Sequence, residues 1–328
     1  MKALVTGGSG FLGGWLCKKL NELGVEIIAL TRNGLAKDGL EGIKCRCVIG
    51  DVTDLGSLIA ASKGVDVIFH LAGVVAYKPQ HRDLMEKVNV TGTANMLRAA
   101  KHNAVPRFVH ISSVVAVGAG FTPDQILDEK SPYNLGHLNL GYFETKRKAE
   151  ELVRSACHSG EVNAVIVNPS TVYGPADAKK DSRRVQVKVA QGNMPFYPPG
   201  GVNVVSVHDV VEGIIRAWEK GATGERYILA SENLTIKALF ELIAKSAKVR
   251  PPRVPLPSFA LKMLGQLGDI ATKVGIPSSF SSENAWTATL YHWFKNDRAR
   301  SELGLSFRPA EYAIEESVRW MRSQGLLN

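Results

Sequence analysis

The chain has 328 residues, 45% apolar and 22% charged, with a formal net charge of +9. That length leaves room for more than one lobe, and the composition excludes disordered, collagen-like and disulfide-framework proteins. Its lysines and arginines are spread out, with no basic block interleaved with aromatics, which argues against nucleic acid and for a positive field suited to an anionic small molecule.

Residues 2–6 read as a strand, followed by Gly7-Gly8-Ser9-Gly10-Phe11-Leu12-Gly13, an amphipathic helix to residue 23 and a second strand over 25–30. Strand, glycine turn, helix and strand together open a dinucleotide-binding unit. Gly7 permits the tight turn, Gly10 lets backbone approach a pyrophosphate, and Gly13 lets the helix lie close to the sheet; the free N–H groups of the first helical turn then face the phosphates. An acidic residue at the end of the second strand would accept from the ribose 2′-hydroxyl. Arg32 stands there instead, with Asn33 beside it and Lys37 a few residues on. A guanidinium pairs with a 2′-phosphate in a fork, so the cofactor expected is NADP(H) in preference to NAD(H). Two other roles fit the same residue: a solvated arginine, or one that stacks on adenine and tolerates both cofactors.

Residues 43–49 are the third expected strand. Cys45 and Cys47 on it, like Cys17 and Cys157, have no metal-ligand spacing and read as reduced packing residues. Asp51 and Val52 follow; Asp51 is placed to accept from the adenine amino group, or else to cap the helix expected at 55–61. The fourth strand, 65–69, ends in His70-Leu71-Ala72-Gly73, and a long helix covers 79–103 with Asn89 inside it, facing solvent or bonded to a neighbouring loop. The fifth strand, 108–111, ends in Ser112-Ser113. Residues 118–141, rich in Gly and Pro, read as a loop over the cleft that is mobile before ligand binds. A helix over 138–159 and a sixth strand over 162–167, closed by Asn168-Pro169, complete the alternation.

Beyond Pro169 the pattern loosens into helices near 183–191, 207–220 and from 235, short strands at 202–205 and 227–229, and closing helices at 298–303 and 311–321. Residues 259–274 form a helix apolar on more than one face, read as packed on the second lobe, with membrane-surface contact the lesser reading. No apolar run is long enough to span a bilayer and nothing precedes the strand at residue 2, so the expected location is cytoplasmic with no integral membrane segment.

Tyr142 and Lys146 lie four apart on the fourth expected helix, which puts both on one face, about 6 Å apart. A lysine ammonium beside a phenol lowers its pKa and can hold the nicotinamide ribose hydroxyls, while Ser113, just past a strand end, can orient a substrate oxygen. No metal is needed. Tyr77, His137, Phe196, Tyr197 and His208 are the substrate-pocket candidates, with Tyr77 and Phe196 implying a partly apolar site.

These pieces (TGGSGFLG, GDVTD, HLAG, NVTGT, the Ser112-Ser113 pair, YFETK and NPSTVYGP) resemble the extended short-chain dehydrogenases/reductases, the NAD-dependent epimerase/dehydratase family, across nearly the whole chain. Within it the chain is most similar to the dihydroflavonol 4-reductase-like branch and to bacterial hopanoid-associated sugar epimerases. The resemblance implies an α/β Rossmann-type doubly wound parallel sheet over residues 1–168, with part of 200–230 returning to it, and a mainly substrate-binding lobe over 169–328. It implies a Ser113, Tyr142 and Lys146 triad, and cofactor contacts from Gly7, Gly10, Phe11, Leu12, Gly13, Arg32, Asp51, Val52, Leu71, Ala72, Ser112, Pro169 and Val172, with Asn89 a buttress. Val114 stands where 4,6-dehydratases carry an acid, which argues against sugar dehydration, and Val117-Gly118 departs from the Val-Tyr-Gly of many sugar epimerases. The expected activity is NADP(H)-dependent reduction of an aldehyde or ketone by a monomer or homodimer. The alternatives are a nucleotide-sugar epimerase with tightly bound NAD, a 3β-hydroxysteroid-type dehydrogenase and, last, a non-enzymatic nucleotide-binding regulator.

Overall fold

The computed structural model describes residues 1–35, 38–177, 183–276, 278 and 281–327. In the first half of the chain, strands β1 (Lys2–Thr6), β2 (Glu26–Thr31), β3 (Arg46–Ile49), β4 (Val67–His70), β5 (Arg107–Ile111) and β6 (Ala164–Pro169) alternate with helices α1 (Phe11–Glu22), α2 (Leu55–Ala61), α3 (Arg82–Met85), α4 (Gly92–His102) and α5 (Gly141–His158). The second half adds β7 (Thr171–Tyr173), α6 (Arg184–Ala190), β8 (Phe196–Tyr197), β9 (Gly201–Ser206), α7 (Val207–Lys220), β10 (Arg226–Leu229), β11 (Glu232–Thr235) and α8 (Ile236–Ala247). It closes with β12 (Val254–Pro255), α9 (Ser258–Lys273), α10 (Ser282–Thr287), β13 (Tyr291–His292), α11 (Asp297–Leu303) and α12 (Ala310–Ser323).

Among the described residues the main sheet has seven strands in the order β10-β6-β5-β4-β1-β2-β3, all paired in parallel. Its strands are apolar on both faces because helices cover both. Ala3, Val5, Ile27, Ala29, Val67 and Phe69 pack on the α1/α7 side; Leu4, Ile28, Leu30 and Ile68, one residue out of step, pack on the α2/α4 side. The connection reverses direction between β1 and β4, and the crevice at such a switch point, outside the carboxyl ends of the strands, is where ligands bind in this architecture. Strand β10 comes from the second half of the chain, and α11 also returns to this sheet, burying Ala299 and Leu303 in the α1/α7 face.

The second unit is a small sheet ordered β11-β9-β13, with β7 also paired to β9, under a core shared by α6, α8 and α12. Its short strands β7, β8, β11, β12 and β13 and helix α10 were not foreseen, because two to six residues leave no readable periodicity. Strand β3 starts at Arg46, three residues later than expected, and α5 at Gly141. The expected single helix over 79–103 is broken by a π-helical turn at Glu86–Thr91. Residues 118–141 form the expected irregular segment, held to the second unit by Gly120 N–H donating to Tyr291 O at 2.8 Å and Leu127 N–H to Trp293 O at 3.0 Å.

Candidate active site

The glycine turn sits at the switch point. Gly7 has φ of +71°, and a Cβ there would meet the Ala72 nitrogen at 2.8 Å. The same contact is fastened by Thr6, whose Oγ1 accepts from Ala72 N–H at 3.1 Å and whose carbonyl accepts from Leu71 N–H at 3.2 Å. A Cβ on Gly13 would run into the Gly7 carbonyl, so only glycine lets α1 start this close to the turn. Gly10 is the N-cap of α1 and brings no side chain to it, and no acidic residue lies in the first turn. The positive end of the helix therefore faces a cradle that a Cβ would fill, which suits a pyrophosphate. Leu12, Leu71 and Val172 each pack against the core on the α1 side of the sheet, Phe11 is half-buried, and Pro169 ends β6.

Arg32 and Asp51 both lie just beyond strand ends, those of β2 and β3. Asp51 Oδ1 accepts from both N–H and Oγ1 of Thr53 at 2.8 Å, and these bonds first, then the Arg32 charge, hold its carboxyl below the usual range. The capping role belongs to Asp54, which accepts from Gly56 N–H. Arg32 is exposed, Lys37 lies outside the described residues, and Val52 is buried with its carbonyl bonded to Asn95.

Ser113 leaves β5 and carries its hydroxyl beside the Tyr142 phenol. One helical turn beyond Tyr142, Lys146 donates Nζ–H to the Ile111 carbonyl at 2.9 Å. Both side chains are buried. Burial, then Tyr77, holds the Tyr142 phenol well above its ordinary range, and only the neighbouring Ser113 hydroxyl opposes this. Burial lowers Lys146 to about 8, with Glu150 pulling the other way. Sequence reasoning expected a lysine-lowered phenol; here the phenol stays protonated because burial outweighs the polar contacts. Asn89 lies within the π-turn, buried, and resolves its two sequence readings in favour of a loop: Oδ1 accepts from Val74 N–H at 2.7 Å, while Nδ2 donates to Val74 O and to Thr145 Oγ1. A π-turn thus ties the chain leaving β4 to the helix that carries Tyr142 and Lys146.

Lys146 keeps its charge below about pH 8 and loses it above. Because the neutral amine is a poorer partner for ribose hydroxyls, cofactor binding is expected to weaken as pH rises through that value. A fluorescence titration from about pH 6 to about pH 10 checks it; a flat affinity across that span would remove Lys146 from the cofactor site.

Sequence reasoning missed Glu150, Asn168 and Arg226. Glu150 is 3% exposed, and its Oε2 accepts from Ser112 Oγ at 2.6 Å and Asn168 Nδ2 at 2.7 Å. Its Oε1 accepts from Arg226 Nη1 at 3.2 Å, and Asn168 also donates to the Ser113 carbonyl. The Ser112 hydroxyl is thereby committed to Glu150, leaving its backbone for any cofactor contact. A usable signal was present: Glu150 follows Lys146 by four on one helix face. A charged cleft of about 960 Å³ opens behind Glu150, but Arg226 pairs there with Glu150, and Arg298 with Glu225 and Glu302, so it is a wall of ion pairs.

Of the substrate candidates, only Tyr77 is brought to Tyr142, edge-on with ring centroids 6.0 Å apart. Val74, Ala76 and Trp286 pack around them. His208 is placed elsewhere, against Trp15 with Nε2 3.0 Å from Glu316, where α1, α7 and α12 meet. Tyr197 packs into the α8/α12 core, exposed Phe196 pairs with β12, and His137 lies at the surface against Phe121.

A sequence profile described as the NAD dependent epimerase/dehydratase family matches residues 3–230. The chain belongs to that family. This epimerase/dehydratase-family protein is similar to a Synechocystis protein named for dihydroflavonol 4-reductase, at 29% identity over 98% of this chain and 94% of the other. It is also 30% identical to sterol demethylase protein B of Methylococcus capsulatus, with 100% of each chain covered. A third relative is a 4-hydroxy-2-methyl-3-oxo-4-farnesyl-3,4-dihydroquinoline-1-oxide ketoreductase of Stigmatella aurantiaca, 27% identical over 94% of this chain and 92% of the other. Among solved structures, that of gox2253 superposes with a TM-score of 0.88 at 32% identity, covering 99% of both chains. The family member described here is an NAD(P)-dependent enzyme of the extended short-chain dehydrogenase/reductase type, with the expected Rossmann-type fold.

Proposed function

We propose that the enzyme reduces the carbonyl group of a lipophilic ketone or aldehyde to an alcohol, drawing on NADPH. The observation that carries this reading is the buried Tyr142 phenol, set beside Ser113 and enclosed by Tyr77, Val74, Ala76 and Trp286, with burial holding its pKa above the ordinary range. A phenol that keeps its proton is a donor, and an apolar surround suits a hydrophobic carbonyl compound. The similarity to a ketoreductase acting on a farnesylated quinoline supports that class.

In this reading residues 1–168 with β10 hold the cofactor, and the remaining second half mainly holds substrate. Gly7, Gly10 and Gly13 with the start of α1 receive the pyrophosphate, and Phe11, Leu12, Leu71, Ala72, Pro169 and Val172 line its path. Asp51, with Val52 beside it, receives the adenine, Arg32 the 2′-phosphate and Lys146 the ribose hydroxyls. When bound, the reduced nicotinamide supplies the hydride. Ser113 donates a hydrogen bond to the substrate carbonyl oxygen and fixes its orientation, while Tyr142 delivers the proton to that oxygen as the alcohol forms. Lys146, charged below about pH 8, steadies the phenolate left behind. Val114, next to Ser113, offers no carboxylate for a dehydration step.

The test is NADPH oxidation with hydrophobic ketones, on protein first assayed for bound nucleotide. Consumption of NADPH with alcohol produced is the expected result; stoichiometric bound NAD and interconversion of nucleotide sugars with none added would replace this reading by the epimerase one. A companion substitution, Arg32→Ser, is expected to weaken NADPH binding about 10- to 100-fold, the loss of a charge-assisted phosphate contact, and to leave NADH affinity within about twofold. Parallel titration of both cofactors checks it, and equal effects on the two would assign Arg32 to adenine stacking.

A further inference from the structure

Helix α9 presents its large side chains away from the protein. Leu261, Gly265 and Gly268 are on its buried side, and Gly265 lies so near α10 that a Cβ would meet Ala285 Cβ at 2.9 Å. The outward stripe is Phe259, Met263, Leu267 and Ile270, 57–70% exposed, and exposed Val274 continues it. That spacing is one helical face, and a helix whose only partner was its own fold would turn these residues inward. Exposed Val254 and Phe196, on the β12–β8 ribbon that leads into α9, add to the apolar surface.

The exposed charged residues in the segment that leads into the helix, 248–258, are all positive. Lys248, Arg250 and Arg253 are exposed just ahead of the helix, and Lys262 sits within it, Nζ 3.5 Å from the Trp286 ring centroid. The one carboxylate of α9, Asp269, accepts from Ser282 N–H at the start of α10. A second copy of the chain would bring the same positive rim against this one, whereas an anionic bilayer complements both rim and stripe. Among the described residues no helix is long and apolar enough to cross a membrane, so the contact would lie in the surface plane. The helix also adjoins the active site: Trp286, under Lys262, belongs to the apolar cluster of Tyr77 and Tyr142, and Ser281 Oγ donates to the Tyr77 carbonyl at 2.7 Å.

We infer that α9 lies in the headgroup layer of an anionic membrane and opens the Tyr142 site to a substrate dissolved in the bilayer. The substrate half of this statement rests on the proposed reduction of a lipophilic carbonyl compound; the docking half does not. The experiment is co-sedimentation of the full chain with vesicles of phosphatidylcholine alone or mixed with phosphatidylglycerol. Binding is expected to be about tenfold or more stronger to the mixed vesicles and to fall with added salt. Phe259→Ser combined with Leu267→Ser is expected to lower it about tenfold or more while cofactor binding, measured on the same preparation, is kept. Absence of vesicle binding, or binding unchanged in the double variant, overturns the inference. So does a wild-type dimer that the double variant converts to monomer without any vesicle binding, which would assign the stripe to a second copy. Sedimentation needs no turnover, so a failure to reduce ketones and a failure to bind vesicles are read separately.

Discussion

Replacing Tyr142 with Phe is expected to lower turnover about 100- to 10,000-fold, the range of a positioned general acid, and to leave cofactor affinity within about twofold. The ring fills the same space against Tyr77 and Phe143, so the apolar cluster survives and only the hydroxyl beside Ser113 is lost. Steady-state rates with NADPH and a hydrophobic ketone, alongside a cofactor titration, separate the two effects. Unchanged turnover would move the proton donor elsewhere; a parallel loss of cofactor binding would make Tyr142 a structural residue.

Glu150→Ala is expected to cost about 3–5 kcal/mol of unfolding free energy, because it leaves a buried cation and two buried donors without their acceptor. Arg226 and Glu150 have side chains only 12% and 4% exposed, and Ser112 and Asn168 converge on the same carboxylate. Denaturant unfolding measures the cost, and an Ala variant as stable as the parent would show that the network contributes no net stability. Glu150→Gln asks a different question. It keeps the shape but removes the charge that opposes burial at Lys146. The pH at which cofactor binding weakens should then move below about 8, a shift that a purely structural role for Glu150 would not produce. Lys146 is four residues away on α5, and the Ser112–Ser113 segment is fixed by the same carboxylate, so in the proposed mechanism Glu150 positions both Lys146 and Ser113.

Much of this was legible in the linear chain. Near-continuous apolar runs at residues 3–5, 27–30 and 164–167 suit strands covered on both faces, and their alternation with helices points to a parallel sheet. The glycine turn, Arg32 and Asp51 could be placed at strand ends, and Tyr142 with Lys146 on one face, because each inference spans a single element where sequence distance translates directly into space. Tertiary structure alone decided what depends on partners far along the chain. Glu150 and Arg226 are 76 residues apart and meet only because β10 joins the sheet beside β6. His208 and Tyr197 read as pocket residues from their neighbours, yet long-range packing commits one to Trp15 and Glu316 and the other to the second core. The phenol of Tyr142 was expected to be lowered by a lysine, and burial by elements distant in sequence raised it instead. Helix α9 could be read as apolar, but which face met the protein depended on how closely α10 approached; Gly265 allows that approach and leaves the large side chains outside. Local geometry follows from neighbours in the chain, whereas burial and charge pairing follow from the order in which elements assemble, and it is burial that sets the chemistry of Tyr142 and Lys146.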